Sequence, residues 1–486
     1  MRSSGFVCDG TSDPSVCVGL PPYKNWRSHR LCILHFPGKK SLKLFQDCAD
    51  AKFDRDDFNF DGVCFPDELL LEFEEREFIT DVVFSNCTFN GPVSFRKCVF
   101  QQKAKFSNAE FKAGVNVEFC EFREEADFSK SSFEDYTEFS GSDFKSSVTF
   151  ADCNFVGWVS MAVGFEHRTD FVAAVFKSEV DFSDSEFRGE TRFWGTTFES
   201  AADFTETKAF AELNFSDATF VDAVRFGTPR WKSYSFGLNA EVSFEHARVD
   251  QPGRVSFHTV ELKPSWFINV DSRRFVFTNV NWNSVSIAKN ISAADPPELL
   301  AIAYRNLAVN AEENHRYGEA STFRYLAMDT RRLTEYSFPG LDWVLRKINH
   351  RWAWRIANRR WGRIAFWRLS WWYWLASGYG ERSFRAFVVL LGIWLLFALS
   401  FTRVGFVVSD KNSMNNSDVT PSKYEASGRP LDFPRAVIYT AGVMTLQKPE
   451  PRPQTNTAHA FVILATVLGP LQAALLALAI RRKFIR

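Results

Sequence analysis

Phenylalanine recurs in this chain on an eleven-residue beat, and few folds can accommodate that spacing. Phe84 and Phe89, Phe95 and Phe100, Phe106 and Phe111 open the series, and Phe128/Phe133, Phe139/Phe144 and Phe150/Phe155 continue it. After a one-residue slip it runs through Phe171/Phe176, Phe182/Phe187, Phe193/Phe198, Phe204, Phe215/Phe220 and Phe226. Steps of five and six residues match neither the 3.6-residue helix nor the two-residue strand, so no single helix or strand points all these rings one way. A short period held over so many residues is the mark of a repeat architecture, in which each turn of chain buries its face on its neighbours.

The position two before each ring is small or β-branched: Val82, Cys87, Val93, Cys98, Ala104, Ala109, then Ser131, Thr137, Ser142, Val148 and Cys153. Asp, Glu, Lys, Ser and Gly dominate between them, as an outward surface requires. A central Phe with a small residue two earlier resembles the pentapeptide-repeat family, in a variant with one extra residue in every second pentapeptide. That resemblance implies a right-handed quadrilateral β-solenoid over residues 73–290. Four faces imply a coil of about 22 residues, and stacked coils a rod of about 45 Å. Val117, Met161 and Ala209 occupy ring positions and should interrupt the stack; the slip near Met161–Phe165 predicts a bulge or an outward loop.

The formal charge of zero over 486 residues conceals a segregation of charge. From Asp81 to Phe226 there are 25 acidic and 14 basic residues, a net of −11; from Trp343 to Arg385 ten Lys/Arg face one acid. Segments of opposite charge point to different neighbours. All nine Cys precede residue 154, four of them on the small inward slots, where they read as packed thiols. No apolar run of signal-peptide length opens the sequence, so the rod is expected in a reducing compartment. His29, Cys32 and His35, with Cys8, Cys17 and Cys48 nearby, look metal-like, but their spacings match no recognised zinc pattern. The expectation is an irregular cap over residues 1–72 covering the first coil's edge, with no metal and no cofactor.

After Pro296-Pro297 the period becomes helical. Leu299, Leu300, Ala303, Tyr304, Leu307 and Ala311, an interruption at Gly318, then Ala320, Phe323, Leu326, Ala327 and Leu333 predict a helical hairpin over 296–336. Lys347, Arg351, Arg355, Arg359 and Arg363 follow at four-residue intervals beside Trp352 and, further on, Trp371. Arg beside Trp predicts an interfacial amphipathic helix over 340–376, with Arg351, Arg355, Arg359, Arg363, Trp352 and Trp371 at lipid headgroup depth. Two apolar runs, 386–408 and 458–480, approach the length of about 20 residues that crosses hydrocarbon. Arg382 and Arg385 flank the first, and Arg481, Arg482 and Lys483 the second, so the positive-inside rule puts both termini and the rod in the cytoplasm of a multi-pass inner-membrane protein.

Between the spans, Phe433–Leu446 is too short to cross and predicts a re-entrant half-helix over 433–447. Span, half-helix and span in that order resemble the pore domain of two-transmembrane ion channels. The resemblance implies a candidate filter at Thr440, Thr445, Leu446 and Gln447 and a candidate hinge at Gly469-Pro470. The Thr-Val-Gly-Tyr-Gly ladder of potassium filters is absent from Thr445–Pro449. Gly378-Tyr379-Gly380-Glu381 lies before the first span and resembles a juxtamembrane motif instead. With no nucleophile elbow, phosphate loop or metal-spaced set, the chain is not expected to be an enzyme. The favoured reading is a membrane scaffold or sensor whose acidic rod binds a cytosolic protein, as a homo-oligomer against lipid and without nucleic acid. The alternative is an ion channel through an oligomeric pore lined by 433–447 and the second span.

Overall fold

Phe89, Phe100 and Phe111 each close a two-residue strand, Phe84, Phe106 and Phe128 each directly follow one, and strands 22 residues apart pair in parallel. Phe111 sits in register with Phe89 on one side and Phe133 on the other, and Phe122 between Phe100 and Phe144. The computed structural model describes residues 8–11, 13–228, 236, 240–282, 297–334, 369–406 and 430–484. The strands between Cys64 and Trp282 form four parallel sheets of eight, nine, ten and seven strands, with a further parallel pair at the C-terminal end, a β-solenoid of about ten turns. Nine steps in the ten-stranded sheet, at about 4.8 Å each, make a rod of about 43 Å.

The coil rise of about 4.8 Å exceeds the contact thickness of about 3.5 Å of an aromatic ring, so rings offset from one another stack at that rise and one Phe per face builds a continuous column. Phe106, Phe128, Phe150 and Phe171 stack at 4.9, 5.0 and 5.0 Å, tilted by no more than 7°. Rings of adjacent columns meet edge to face, as Phe150 and Phe139 do at 5.6 Å and 80°. Both arrangements suit the aromatic quadrupole, the stacked rings being offset. Val117 and Met161 share one column, in register with the rings of the ten-stranded sheet, and Ala209 stands in another between Phe187 and Phe236; all three are buried.

Every second corner is left-handed. The residue two after alternate ring positions, Val117 among them, has positive φ: Asn86 (57°), Lys97 (52°), Asn108 (56°), Phe119 (55°), Lys130 (60°), Gly141 (70°) and Asp152 (58°). That corner brings the next small slot beneath a carbonyl of the preceding coil, which explains why the slot is so often a hydroxyl or thiol. Ser131 Oγ donates to Phe106 O (2.6 Å), Thr196 Oγ1 to Phe171 O (2.7 Å) and Cys153 Sγ to Phe128 O (2.9 Å). Cys87, Cys98, Cys120 and Cys153 are buried there as packed, unpaired thiols.

The slip produces no bulge and no outward loop, contrary to the sequence expectation. Pairing shortens from 22 to 21 residues at Asp143↔Gly164 and returns to 22 at Gly164↔Glu186. The missing residue is the left-handed corner itself: the positive-φ series passes from Asp152 to Ala173 with none between. Met161 and Val163 stay buried, and the Phe144–Phe165 stack widens to 5.6 Å, against 4.6 Å for Phe122–Phe144.

The ends of the column are covered. Helix α1 (Leu42–Phe53) is capped by Ser41, and its Phe45 and Phe53 pack on Phe65, Phe58, Phe60 and Phe73. Ring stacking between coils begins at Phe60 and Phe65, with Phe58 edge-on to Phe78, before Phe73, where irregular spacing hides it from the eleven-residue beat. At the far end lies α2 (Pro297–Glu313), whose buried Asn310 donates to the carbonyls of Ser272, Arg273 and Phe275 at 3.2, 2.9 and 2.7 Å.

The chain divides into two compact units, Met1–Asn310 and Ala311–Arg486. The second contains α3 (Tyr317–Thr334), α4 (Leu369–Ser377), α5 (Ser383–Phe401), α6 (Phe433–Met444) and α7 (Asn456–Phe484). The break before α3 falls at Asn314–Arg316, with His315 at φ 58°; Gly318, expected to interrupt, lies inside α3.

Candidate functional site

Three places on the molecule concentrate chemistry. On the rod, the face of the ten-stranded sheet carries exposed aromatics. Pairing of Val115 with Thr137 and of Thr137 with Val159 sets Gly114, Tyr136 and Trp158 one above another along one edge. Tyr136 lies over Gly114, where an added Cβ would meet its ring at 2.1 Å. Phe119 stands at the other edge of the same face, lying over Gly141, and is 63 % exposed. Exposed aromatics backed by a rigid sheet are the usual anchors of protein interfaces. The surface is also crossed by ion pairs between coils, Arg96–Glu118 on this same face and Lys103–Glu125 and Lys208–Glu186 on others. Pairs this exposed add little stability.

In the second unit, α5 and α7 are both apolar and long enough to cross a bilayer. On α7, Ala458, Ala465, Gln472 and Ala479 recur every seven residues and, with Gly469, form its buried face. Small residues there let helices approach closely. A Cβ on Gly469 would lie 2.7 Å from Met444 Cβ, so the candidate hinge is the notch that receives the end of α6. The helix runs unbroken through Pro470. Gln472 Nε2 donates to Ala376 O (2.7 Å) and Ala386 O (2.9 Å), tying α7 to the end of α4 and the start of α5. The opposite side of α7, with Ile463, Val467 and Leu471, is exposed.

Helix α6 packs Tyr439 against Phe401 and Phe406, while Trp394 of α5 donates to Val437 O at 3.2 Å. Of the candidate filter residues, Thr440 is buried, with its hydroxyl on Ala436 O. The others close the helix. Leu446 N–H donates to Val443 O (3.1 Å) and Gln447 N–H to Gly442 O (2.9 Å), with Leu446 at φ 64°, a Schellman cap. Thr445 turns its hydroxyl onto Ala441 O at 2.9 Å and Gly442 O at 3.1 Å.

At the other end of these helices, Gly378, Tyr379 and Gly380 are all left-handed (56°, 61°, 75°) and deliver Glu381 into a cleft of about 680 Å3. Tyr317, Ser321 and Tyr325 of α3 line it, with Arg382, Arg385 and Arg482. Arg482 Nη1 donates to Tyr379 O (3.0 Å) and lies 3.4 Å from Glu381 Oε1; Ser321 Oγ donates to the other carboxylate oxygen at 2.9 Å. Burial pushes the Glu381 carboxyl above its usual range, against the pull of Ser321 and Arg482.

Of the interfacial set, Arg351, Arg355, Arg359, Arg363 and Trp352 lie outside the described residues; Trp371, on α4, is half-buried against Trp372 at 5.0 Å. The fold also gathers part of the metal-like set. Cys8, Cys17, Cys32 and His35 converge, all buried, whereas His29 is exposed beside Asp9 and Cys48 sits apart on α1. Sequence reasoning passed over Gln472, the Glu381–Arg482 pair and the Tyr136–Trp158 stripe. The seven-residue recurrence on α7 was the available signal for the first; the other two depend on register and on helix ends meeting.

A family model described as pentapeptide repeats, in nine copies, matches residues 73–121. No curated protein and no solved structure matches the chain. The coil register, the alternating corners and this match agree: the rod is a pentapeptide-repeat β-solenoid, on a chain that also carries two apolar helices of membrane-crossing length.

Proposed function

We propose that the protein is a membrane-anchored scaffold whose acidic rod holds a cytosolic protein partner on the Tyr136–Trp158 face. The observation that carries this reading is the coexistence, in one chain, of an exposed aromatic stripe on a rigid acidic surface and two helices with exposed apolar sides. A lipid bilayer is the solvent that suits such helices, with the arginines beside Glu381 and the basic end of α7 at the cytoplasmic headgroups. Oligomerisation through the apolar unit belongs to the same reading. The conducting alternative would use the carboxyl end of α6 as a cation site. Three carbonyls of its last turn, those of Ala441, Gly442 and Val443, are already engaged by the Schellman cap and by Thr445, which favours an anchor over a pore.

A photo-crosslinking residue placed at Trp158 in cells should yield a discrete protein adduct, and one at Thr149, on the opposite face, should not. Tyr136→Ala should weaken that adduct about tenfold, the size of an interface anchor's loss. Adducts at both positions alike, or at neither, would sink the proposal.

A further inference from the structure

We infer that Cys8, Cys17, Cys32 and His35 bind a single tetrahedral divalent ion of the zinc class, which locks the N-terminal cap onto the first coil. Their ligand atoms lie within 4.8 Å of one another, and all four residues are buried. His35 Nδ1 is 3.1 Å from Cys32 Sγ, 3.2 Å from Cys17 Sγ and 3.6 Å from Cys8 Sγ, and the Cys17 and Cys32 sulfurs are 3.5 Å apart. With Zn–S of about 2.3 Å and Zn–N of about 2.0 Å, tetrahedral ligands stand about 3.5–3.8 Å apart. These four separations therefore need adjustments of a few tenths of an ångström, and no pair of ligand atoms stands more than about 1 Å too wide to receive the ion.

Packing alone does not account for the arrangement. His35 Nε2 is 2.8 Å from Asp61 O, a carbonyl that can only accept, so the ring proton belongs on Nε2. Nδ1 is left as a bare lone pair facing three sulfurs, and one lone pair cannot satisfy three thiols in a dry site. A soft divalent ion can, with the thiols as thiolates; the bond from Nε2 to Asp61 is the outer contact that orients ligating imidazoles. Three sulfurs and one nitrogen, with no open position, suit a structural ion and not a catalytic one.

The surroundings are built to the same end. Gly10 passes so close to His35 that a Cβ there would lie 2.5 Å from His35 Cβ, and Gly62, at φ 73°, comes against Gly10 O. Lys40 Nζ donates to the carbonyls of Ile33 (3.0 Å), Leu34 (3.1 Å) and Cys64 (2.6 Å), pinning the segment between Cys32 and His35 to the first paired strand. Asp61, whose carbonyl holds the imidazole, also accepts from Asn86 of the next coil at 2.8 Å. Only Cys32-x2-His35 has a familiar ligand spacing; Cys8 and Cys17 arrive from loops that the fold alone brings near.

The test is metal analysis of the full chain purified in detergent under reducing conditions without chelator. The expected result is about one zinc per chain, lost in Cys17→Ser and His35→Ala and kept in Cys48→Ser. Because a ligand variant can fail to fold, the chelator-stripped wild-type chain is also titrated with cobalt(II). An intense tetrahedral ligand-field spectrum with a thiolate charge-transfer band, saturating at one equivalent, supports the site. A wild-type chain with no stoichiometric metal and no cobalt spectrum, a Cys17–Cys32 disulfide in its place, or iron with acid-labile sulfide would each overturn it.

Discussion

Phe150→Ala is expected to destabilise the rod by about 3–5 kcal/mol, the cost of deleting a fully buried ring from a site that cannot collapse. Phe150 is stacked at 5.0 Å on both Phe128 and Phe171, meets Phe139 and Phe144 edge to face, and lies tilted against Phe155. Backbone pairing fixes the coil spacing, so neighbouring rings cannot move in to fill the gap. In a repeat protein the loss should spread to nearest neighbours rather than through the whole molecule. Hydrogen exchange should therefore quicken in the coils around residues 128–171 before the ends respond. A uniform response along residues 84–226, or a loss below about 1 kcal/mol, would mean that the columns are not the source of stability.

The second large effect is at the cleft. Arg482→Ala removes the only guanidinium bonded to Glu381 among the described residues and leaves that carboxylate buried. Breaking a fully buried pair costs about 3–5 kcal/mol; with Arg482 about one-third exposed, about 2–3 kcal/mol is expected here. Glu381→Gln keeps an acceptor for Ser321 and removes the buried charge, so it should stay within about 1 kcal/mol of the parent. The pH dependence follows in sign. The Glu381 carboxyl is raised in the folded chain, so its folded form holds a proton more tightly than the unfolded one. Its contribution is greatest below the ordinary carboxylate range and declines as pH rises through the raised value. The Arg482→Ala deficit should then shrink on acidification to about pH 5, measured as thermal unfolding in detergent at two pH values. An equal deficit at both would remove Glu381 from the explanation.

The solenoid was legible because its core repeats in sequence: one ring per face writes the same spacing over and over, and pairing has a single register that buries every ring. The end of the repeat region was less so, since the cap at Phe58–Phe65 and the covering of the last coil by Asn310 use contacts that do not repeat. The expected bulge near Met161 failed for a related reason. Spacing reveals that a residue is missing but not that a corner, rather than a strand, can give one up. The cysteine cluster was invisible at the level of spacing because loops of unrelated length supply three sulfurs to one point. On α7 the apolar run announced a span and concealed its polarity, since Gln472 reads as an impurity until the carbonyls of Ala376 and Ala386 stand opposite it.

The proposed role requires the two apolar helices to hold the rod at a bilayer. Alkaline carbonate washing of membranes from cells making the full chain tests it directly, because peripheral proteins are released and embedded ones are not. The chain is expected to stay in the membrane pellet, and a charge in the exposed face of α7, Val467→Arg, to shift it toward the wash. Recovery of the parent chain in the carbonate supernatant would contradict it.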